Sequence, residues 1–445
     1  MHNKQDYTNS LAIWQRIRDA LSGQDAIIAG TTDYLPQLPG QDDDEYSAYQ
    51  QRALYFNKTK DTLNILTGLA MRKPGVEDIP ESMSDFIEDV NRAGKTLEEL
   101  TKITLKETIA MYRYGLLVEY PVIDRTKIKT VLDAERAGLK PYISEYRAEN
   151  IINWHSENGF LSLVVLKEYY TERDQDDEFK YIDKEQYRVL ELVDGVYQQR
   201  VFRNERQYGE TITPRMNGQT LSQIPFRIVG GIEPEIPPIL DLVNVNLKHF
   251  AVTADYYHGL HFANVPVLFG AGFAADGEIK IGSENGIFTA NPDAKLDWKS
   301  AGAEGAEPSR KALEDLEKRM AELGAQIISS GSNRTATEAD IVNNSQTASL
   351  VNIVIEVSKS ISWVLGMVNQ WMNGGGDLVF EMNTDFNVNK IDPQMIAQLL
   401  AATTSGNMSQ DSFIEALIEG EIIKKRDVET EKELIEVSFS DLTGE

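Results

Sequence analysis

The chain has 445 residues, 41% of them hydrophobic and 26% charged, a globular balance with room for two or three domains that excludes a disordered polymer. The absence of cysteine excludes a disulfide framework, a thiolate zinc site and a cysteine nucleophile, in keeping with a reducing cytoplasm. A formal net charge of −26 argues against tight nucleic-acid binding, because that affinity comes from Lys and Arg neutralising phosphates.

The first residues, MHNKQDYTNS, hold no apolar leader, and no apolar run approaches the roughly 20 residues that span a bilayer. The chain is therefore expected to act in solution, with no membrane partner. Residues 1–125 read mainly as helix. Leu11, Ile13, Trp14, Ile17 and Leu21 predict a helix over 10–21 that Ser22-Gly23 stops. An acidic stretch, 42–45, precedes one long predicted helix over 46–72, its apolar face carrying Tyr49, Ala53, Phe56, Leu63, Leu66 and Leu69 and its end marked by Lys73-Pro74-Gly75. Two more helices are predicted over 82–93 and 97–112.

From residue 114 the period changes. Strands are predicted over 115–121, 142–146, 161–170, 187–192 and 196–202, with Asp194-Gly195 as a hairpin turn and 174–178 as an acidic loop tip. A buried strand then leads through Pro237-Pro238 into a helix over 239–262, and a Gly-rich, strand-like segment fills 265–298. The helix over 307–329 places Leu313, Leu316, Met320, Leu323 and Ile327 at 3-4-3-4 spacing, one narrow seam suited to packing against neighbours. A polar break, 329–333, separates it from a helix over 335–372. Gly374 to Gly376 stop that helix, a strand follows over 378–383, and helices are predicted over 393–404 and 410–417. Residues 391–445 carry twelve Asp or Glu against four Lys or Arg.

The catalytic inventory is thin. No phosphate-binding Gly-Lys-Ser/Thr loop occurs, Gly270-Ala271-Gly272 opens no helix, and no serine sits in a nucleophile elbow, so neither enzymatic activity nor a cofactor is expected. Asp255, His258 and His261 stand at i, i+3 and i+6 on one predicted helix and define the rival reading, a metal-dependent enzyme. They lack a fourth ligand, so packing histidines and no metal site are expected. Lys311 and Lys318, seven apart, share a helix face among alternating charges. They read either as a solvated face or, repeated round a ring, as two circlets of positive charge.

Pro237, Pro238, Leu240, Asp241, Leu242, Asn246, Leu247, His249, Phe250, Ala254, Asp255, Tyr256, Leu260, His261, Phe262 and Pro266 form a pattern that resembles the portal proteins of tailed phages. Similar stretches are 46–74, 146–155, 318–341 (Met320, Ala321, Leu323, Gly324, Ala325, then Thr335 to Ala339) and 381–386, though His155 stands where the family often has Arg. The resemblance implies an α+β portal fold with a wing over 1–236, a first stem helix over 237–263, a clip over 264–300 and a second stem helix over 301–329. A tunnel loop, long helix and closing wing strand would follow over 330–390, and a helical crown over 391–445. It also implies a ring of about twelve copies at one capsid vertex, assembled in the host cytoplasm, through which double-stranded DNA enters and leaves. The partners implied are the terminase large subunit, a head-tail connector or adaptor, and a major capsid or scaffolding protein. Within that frame Ser329, Ser330, Ser332, Asn333 and Arg334 would form a loop facing weakly held DNA, with Lys311 and Lys318 as further channel candidates. Leu313, Leu316, Met320, Leu323 and Ile327 would be oligomer-interface candidates. On composition alone 329–334 reads equally as a solvated turn, and a channel-less helical scaffold is the other rival.

Overall fold

The computed structural model describes residues 2–121, 139–273, 289–299, 306–328, 336–375, 378–384, 386, 393–419, 428–430 and 432, with backbone only for 31, 326, 328, 336–348, 393–395 and 419. The loop candidates Ser329, Ser330, Ser332, Asn333 and Arg334 lie outside these residues, as do 274–288 and 300 of the expected clip and much of the acidic C-terminal stretch. The chain divides into two compact units, residues 1–384 and 385–445. The first mixes helices and antiparallel sheets, as expected for the α+β class. The second holds a packed pair of helices, Pro393–Thr404 and Gln410–Glu419, with Ile414 buried.

Helix α1 (Gln5–Ser22) buries Tyr7, Trp14, Ile17 and Ala20, a narrower stripe than the sequence suggested, and Gly23 follows it at φ 106°. It is followed by α2 (Gln24–Ala29). The single helix expected over 46–72 is instead two, α3 (Asp43–Arg52) and α4 (Lys58–Ala70), separated by extended backbone from Ala53. Asp42 caps α3 by accepting from the Glu45 N–H, and Asn57 caps α4 by accepting from the Lys60 N–H. The break itself is held from a distance. The side chain of Asn246, fully buried, donates from Nδ2 to the Phe56 carbonyl at 2.8 Å, and its Oδ1 accepts from the Thr59 N–H at 3.1 Å and the Thr59 hydroxyl at 2.9 Å. The Tyr55 hydroxyl lies 3.2 Å from the same oxygen.

Strand β1 (Val76–Asp78) leads to α5 (Ser84–Glu88), which is shorter than the 82–93 predicted. Asp89 and Asn91 end it by accepting from the N–H groups of Gly94, Ala93 and Lys95, the turn chemistry these residues favour. Helix α6 (Leu97–Met111) opens with a reciprocal cap between Thr96 and Glu99 and buries nine residues. It runs into β2 (Arg113–Glu119), buried at every position, which pairs on one side with β3 (Tyr142–Arg147).

A five-stranded antiparallel meander follows: β4 (Ile151–Glu157), β5 (Phe160–Arg173), β6 (Tyr181–Val193), β7 (Val196–Arg203) and β8 (Arg206–Ile212). Asp194 and Gly195, both at positive φ, make the tight turn expected between β6 and β7. Strands β4 and β8 escaped sequence reading because they mix polar and apolar residues without clean alternation. A small hairpin, β9 (Arg215–Met216) and β10 (Gln219–Thr220), precedes β11 (Phe226–Gly230), which takes the other side of β2.

Helix α7 (Leu240–Asn264) leaves the body towards a two-stranded sheet, β12 (Val267–Ala271) with β13 (Lys295–Lys299), and α8 (Ala306–Ile328) packs back along α7. Helix α9 (Ala336–Trp371) packs on α6, β2 and β11, and β14 (Val379–Glu381) pairs with β1. The approach of β14 requires Gly75, because a Cβ there would lie 1.9 Å from the Glu381 carbonyl oxygen. Ser349–Trp371, with mean hydropathy 1.4, is long and apolar enough to cross a membrane, which corrects the expectation that no such run exists. Its apolar surface is used inside the protein, where Leu350, Val354, Val357, Ile361, Val364 and Val368 are fully buried.

Two charge networks tie these parts together. Arg18 of α1 makes paired contacts to Glu107 of α6 and Glu149 of the turn before β4. Arg188 of β6 reaches Glu119 of β2 at 2.6 Å and Glu168 of β5 at 2.7 Å, and Glu168 also accepts from the Tyr146 hydroxyl. Because removing one partner strands the others without water, these groups fix how the two larger sheets meet.

Replacing Asn246 by Leu leaves both Thr59 donors unpaired in the interior and removes one of the two hydrogen bonds to the Phe56 carbonyl. The expected cost is about 3–5 kcal/mol, read as a lower urea midpoint. A midpoint equal to wild type would mean that water replaces the amide.

Candidate functional site: a two-helix stalk with a β tip

The sequence of α7 divides it into two halves. All its buried residues lie between Leu242 and Ala254, where α1, α3 and α4 pack on it, and none lies between Asp255 and Asn264. Asp255 and His258 still touch Tyr49 of α3, so the last six residues, 259–264, carry the helix roughly 9 Å clear of the body. Helix α8 mirrors this: residues 306–319 are exposed or half-buried, and burial begins at Met320. Gly324 lets α8 approach α4, since a Cβ there would sit 3.2 Å from Thr62 Cγ2.

The seam on α8 is buried within the chain at two of its five positions. Met320 and Ile327 are 2% and 8% exposed, while Leu313, Leu316 and Leu323 are half-buried. Within the stalk, the exposed apolar residues lie elsewhere, at Tyr257 and Phe262 on α7, at Val265, and on the two-stranded tip. There Leu268 stands opposite Trp298 and Gly270 opposite Leu296 on one face, with Val267 opposite Lys299 and Phe269 opposite Asp297 on the other. Val267 is 67% exposed, Phe269 and Trp298 each 52%. Sequence reading recognised the strands but could not see that apolar side chains stand exposed on both faces.

Lys311 and Lys318 are exposed on α8, and neither pairs with a carboxylate among the described residues. The neighbouring Arg310 is held by Glu307 and Glu314, and Arg319 lies 3.6 Å from Glu322. Asp255, His258 and His261 are not arranged as a metal centre. Asp255 accepts from the Tyr49 hydroxyl at 2.5 Å, and the His258 ring stands edge-on to Tyr49 and to Phe262. Among the described residues no three His, Asp or Glu side chains converge as a metal ion requires.

Sequence reading missed His249 as a junction residue. It is 5% exposed on α7, with Nε2 3.4 Å from Glu317 Oε1 on α8, the Phe56 ring beside it, and the Thr253 hydroxyl on its own helix. Burial pushes its imidazole below the ordinary 6.5, against a weaker opposite pull from Glu317. The unfolded chain therefore takes up this proton first as pH falls. Stability is full above about pH 6.5 and is lost as pH drops towards the lower folded-state value. The urea midpoint is expected to fall between pH 7.5 and 5.5, and to fall less in His249→Gln. Equal falls would remove His249 from this role.

A family model described as a domain of unknown function, DUF4055, matches residues 238–372, the stretch that spans the stalk, its tip and α9. No curated protein matches the chain. Among solved structures it is similar to a chain in the virion of a native gene transfer agent particle, at 12% identity and TM-score 0.39, over 88% of this chain and 97% of the other. It is also similar to a chain in the neck of an empty particle computed with C6 symmetry, at 12% identity and TM-score 0.38, over 79% and 85%. A third chain, in the neck of a native particle computed with C12 symmetry, is 13% identical with TM-score 0.37, over 81% and 89%.

Proposed function

We propose that this chain is the portal subunit of a tailed-phage-like particle, a non-enzymatic protein whose copies close into a ring at one capsid vertex. Double-stranded DNA passes through the ring during packaging and ejection. The observation that carries this reading is the stalk: two antiparallel helices leave the body and end in a two-stranded sheet with apolar side chains exposed on both faces. A hairpin of two strands is marginal by itself, and exposed apolar patches on a chain of charge −26 call for a partner surface. Neighbouring copies supply one in a ring built from head-to-tail contacts.

The sequence supports the same reading, because the portal-like pattern from Pro237 to Pro266 coincides with the root and shaft of this stalk. Net acidity suits a conduit, since a wall that held phosphates strongly would impede sliding. In this reading 237–263 and 301–329 are stem helices, 264–300 the clip, 1–236 and the strand after α9 the wing, and 391–445 the crown. Ser329, Ser330, Ser332, Asn333, Arg334, Lys311 and Lys318 are the residues proposed to meet DNA. The terminase, an adaptor and capsid or scaffolding protein would dock on the ring.

Negative-stain imaging of the purified protein tests the proposal. Rings with a central channel are expected, and Phe269→Ser with Trp298→Ser is expected to reduce their yield while leaving the urea midpoint close to wild type. Assemblies without a channel would favour a scaffold, and a strict monomer at all concentrations would overturn the ring.

A further inference from the structure

The long β5–β6 hairpin offers two complementary surfaces that cannot meet within one copy. On one face of the sheet, Arg203 lies between the rings of Tyr170 and Tyr208, its guanidinium carbon 3.7 Å and 3.8 Å from their centres, with Nε donating to Gln186 at 2.9 Å. Arg206 stands opposite Arg203 across the β7–β8 turn and has no carboxylate partner among the described residues. Together with Lys184, which pairs with Glu172, these groups line an open cleft of about 760 Å³. With Lys184 neutralised by Glu172, the two arginines leave the cleft lining positive on a protein that is strongly negative overall. A guanidinium already fixed between two rings loses little freedom on meeting a carboxylate, which suits it to a forked contact.

The other surface is the acidic turn at the hairpin tip. Asp174 is occupied by the Asp176 N–H and by Lys180, and Glu178 lies 3.5 Å from Arg173. Asp176 and Asp177 are exposed, have no cation partner among the described residues, and stand beside Phe179, which is 85% exposed. The ladder continues unbroken from Tyr170↔Lys184 to Arg173↔Tyr181, so the tip is held roughly 10 Å beyond the cleft and cannot fold back into it.

We infer that the acidic turn of one copy docks in the Arg203–Arg206 cleft of the next, with Asp176 and Asp177 meeting the arginines and Phe179 packing against the tyrosine rings. This rests on the ring reading, since a directional contact between different surfaces closes only by repetition round an axis.

A disulfide-free cyclic peptide carrying residues 171–182 is titrated at low salt into the full chain carrying Asp176→Lys and Asp177→Lys, whose own tips cannot fill the clefts, and followed by fluorescence anisotropy. Saturable binding is expected, weakened at least about tenfold by Arg203→Glu with Arg206→Glu and also weakened by salt. Ring formation of the full chain is followed in parallel by light scattering. The double Glu variant and Asp176→Lys with Asp177→Lys should each lower it, and the two sets of changes combined should restore it. No saturable peptide binding, binding indifferent to the Glu changes, or a combination that restores nothing would overturn the contact. If wild type forms no rings yet the peptide binds and the Glu changes abolish it, the ring fails and the contact stands as a pairwise one. If rings form and the peptide is ignored, the ring stands and the contact fails.

Discussion

The structure hangs on one buried amide. Asn246 satisfies a carbonyl between α3 and α4 and an N–H and a hydroxyl in the first turn of α4, and by doing so it holds extended backbone where local propensity favours continued helix. The same contact fixes the root of α7 against α4. A buried amide with both its oxygen and its nitrogen engaged disfavours any other register, because sliding α7 by a residue would strand both Thr59 donors. The stalk can project only because its root is held this firmly.

Charge performs the equivalent task for the sheets. Arg188 draws carboxylates from β2 and β5 to one point, and Arg18 joins α1, α6 and the turn before β4. Arg113 is the more unusual case. Its guanidinium is fully buried against the Trp154 ring at 4.1 Å and donates to the carbonyls of Gly231 and Ile232, and burial lowers its pKa to about 10, still charged at neutral pH. Trp154 is covered on the same ring by Lys4, and its Nε1 donates to Glu233, which also receives Lys4. The beginning of the chain, the start of β2 and the segment after β11 are thereby pinned at one place.

These constraints make a rigid body from which a thin element emerges, and the contrast between the two is what supports the assembly reading. Burial ends on α7 at Ala254 and resumes on α8 at Met320, yet the tip beyond carries Val267, Phe269, Leu296 and Trp298 in the open. Residues of that kind are costly to leave in water, so the tip is legible as a surface awaiting neighbours. His249 and Glu317 sit where the two helices leave the body, at the point best placed to feel any change in how they pack.

The sequence by itself determined the elements with strong local signatures. The Asp194-Gly195 turn, the Pro237-Pro238 start of α7, the seam of α8 and the Gly23 stop all follow from backbone preferences or periodicity that act within a few residues. Portal-like motifs marked the stalk for the same reason, as contiguous strings. What the sequence could not reveal is whatever depends on a partner far along the chain. The break at Ala53 answers to Asn246, and the mixed pattern of β4 is resolved only by pairing with β5. The fate of the α8 seam was likewise a tertiary matter: periodicity marks its five positions alike, and packing buries Met320 and Ile327 while leaving Leu313, Leu316 and Leu323 half-buried. Periodicity says that a face is apolar, but only the packed structure says what covers it.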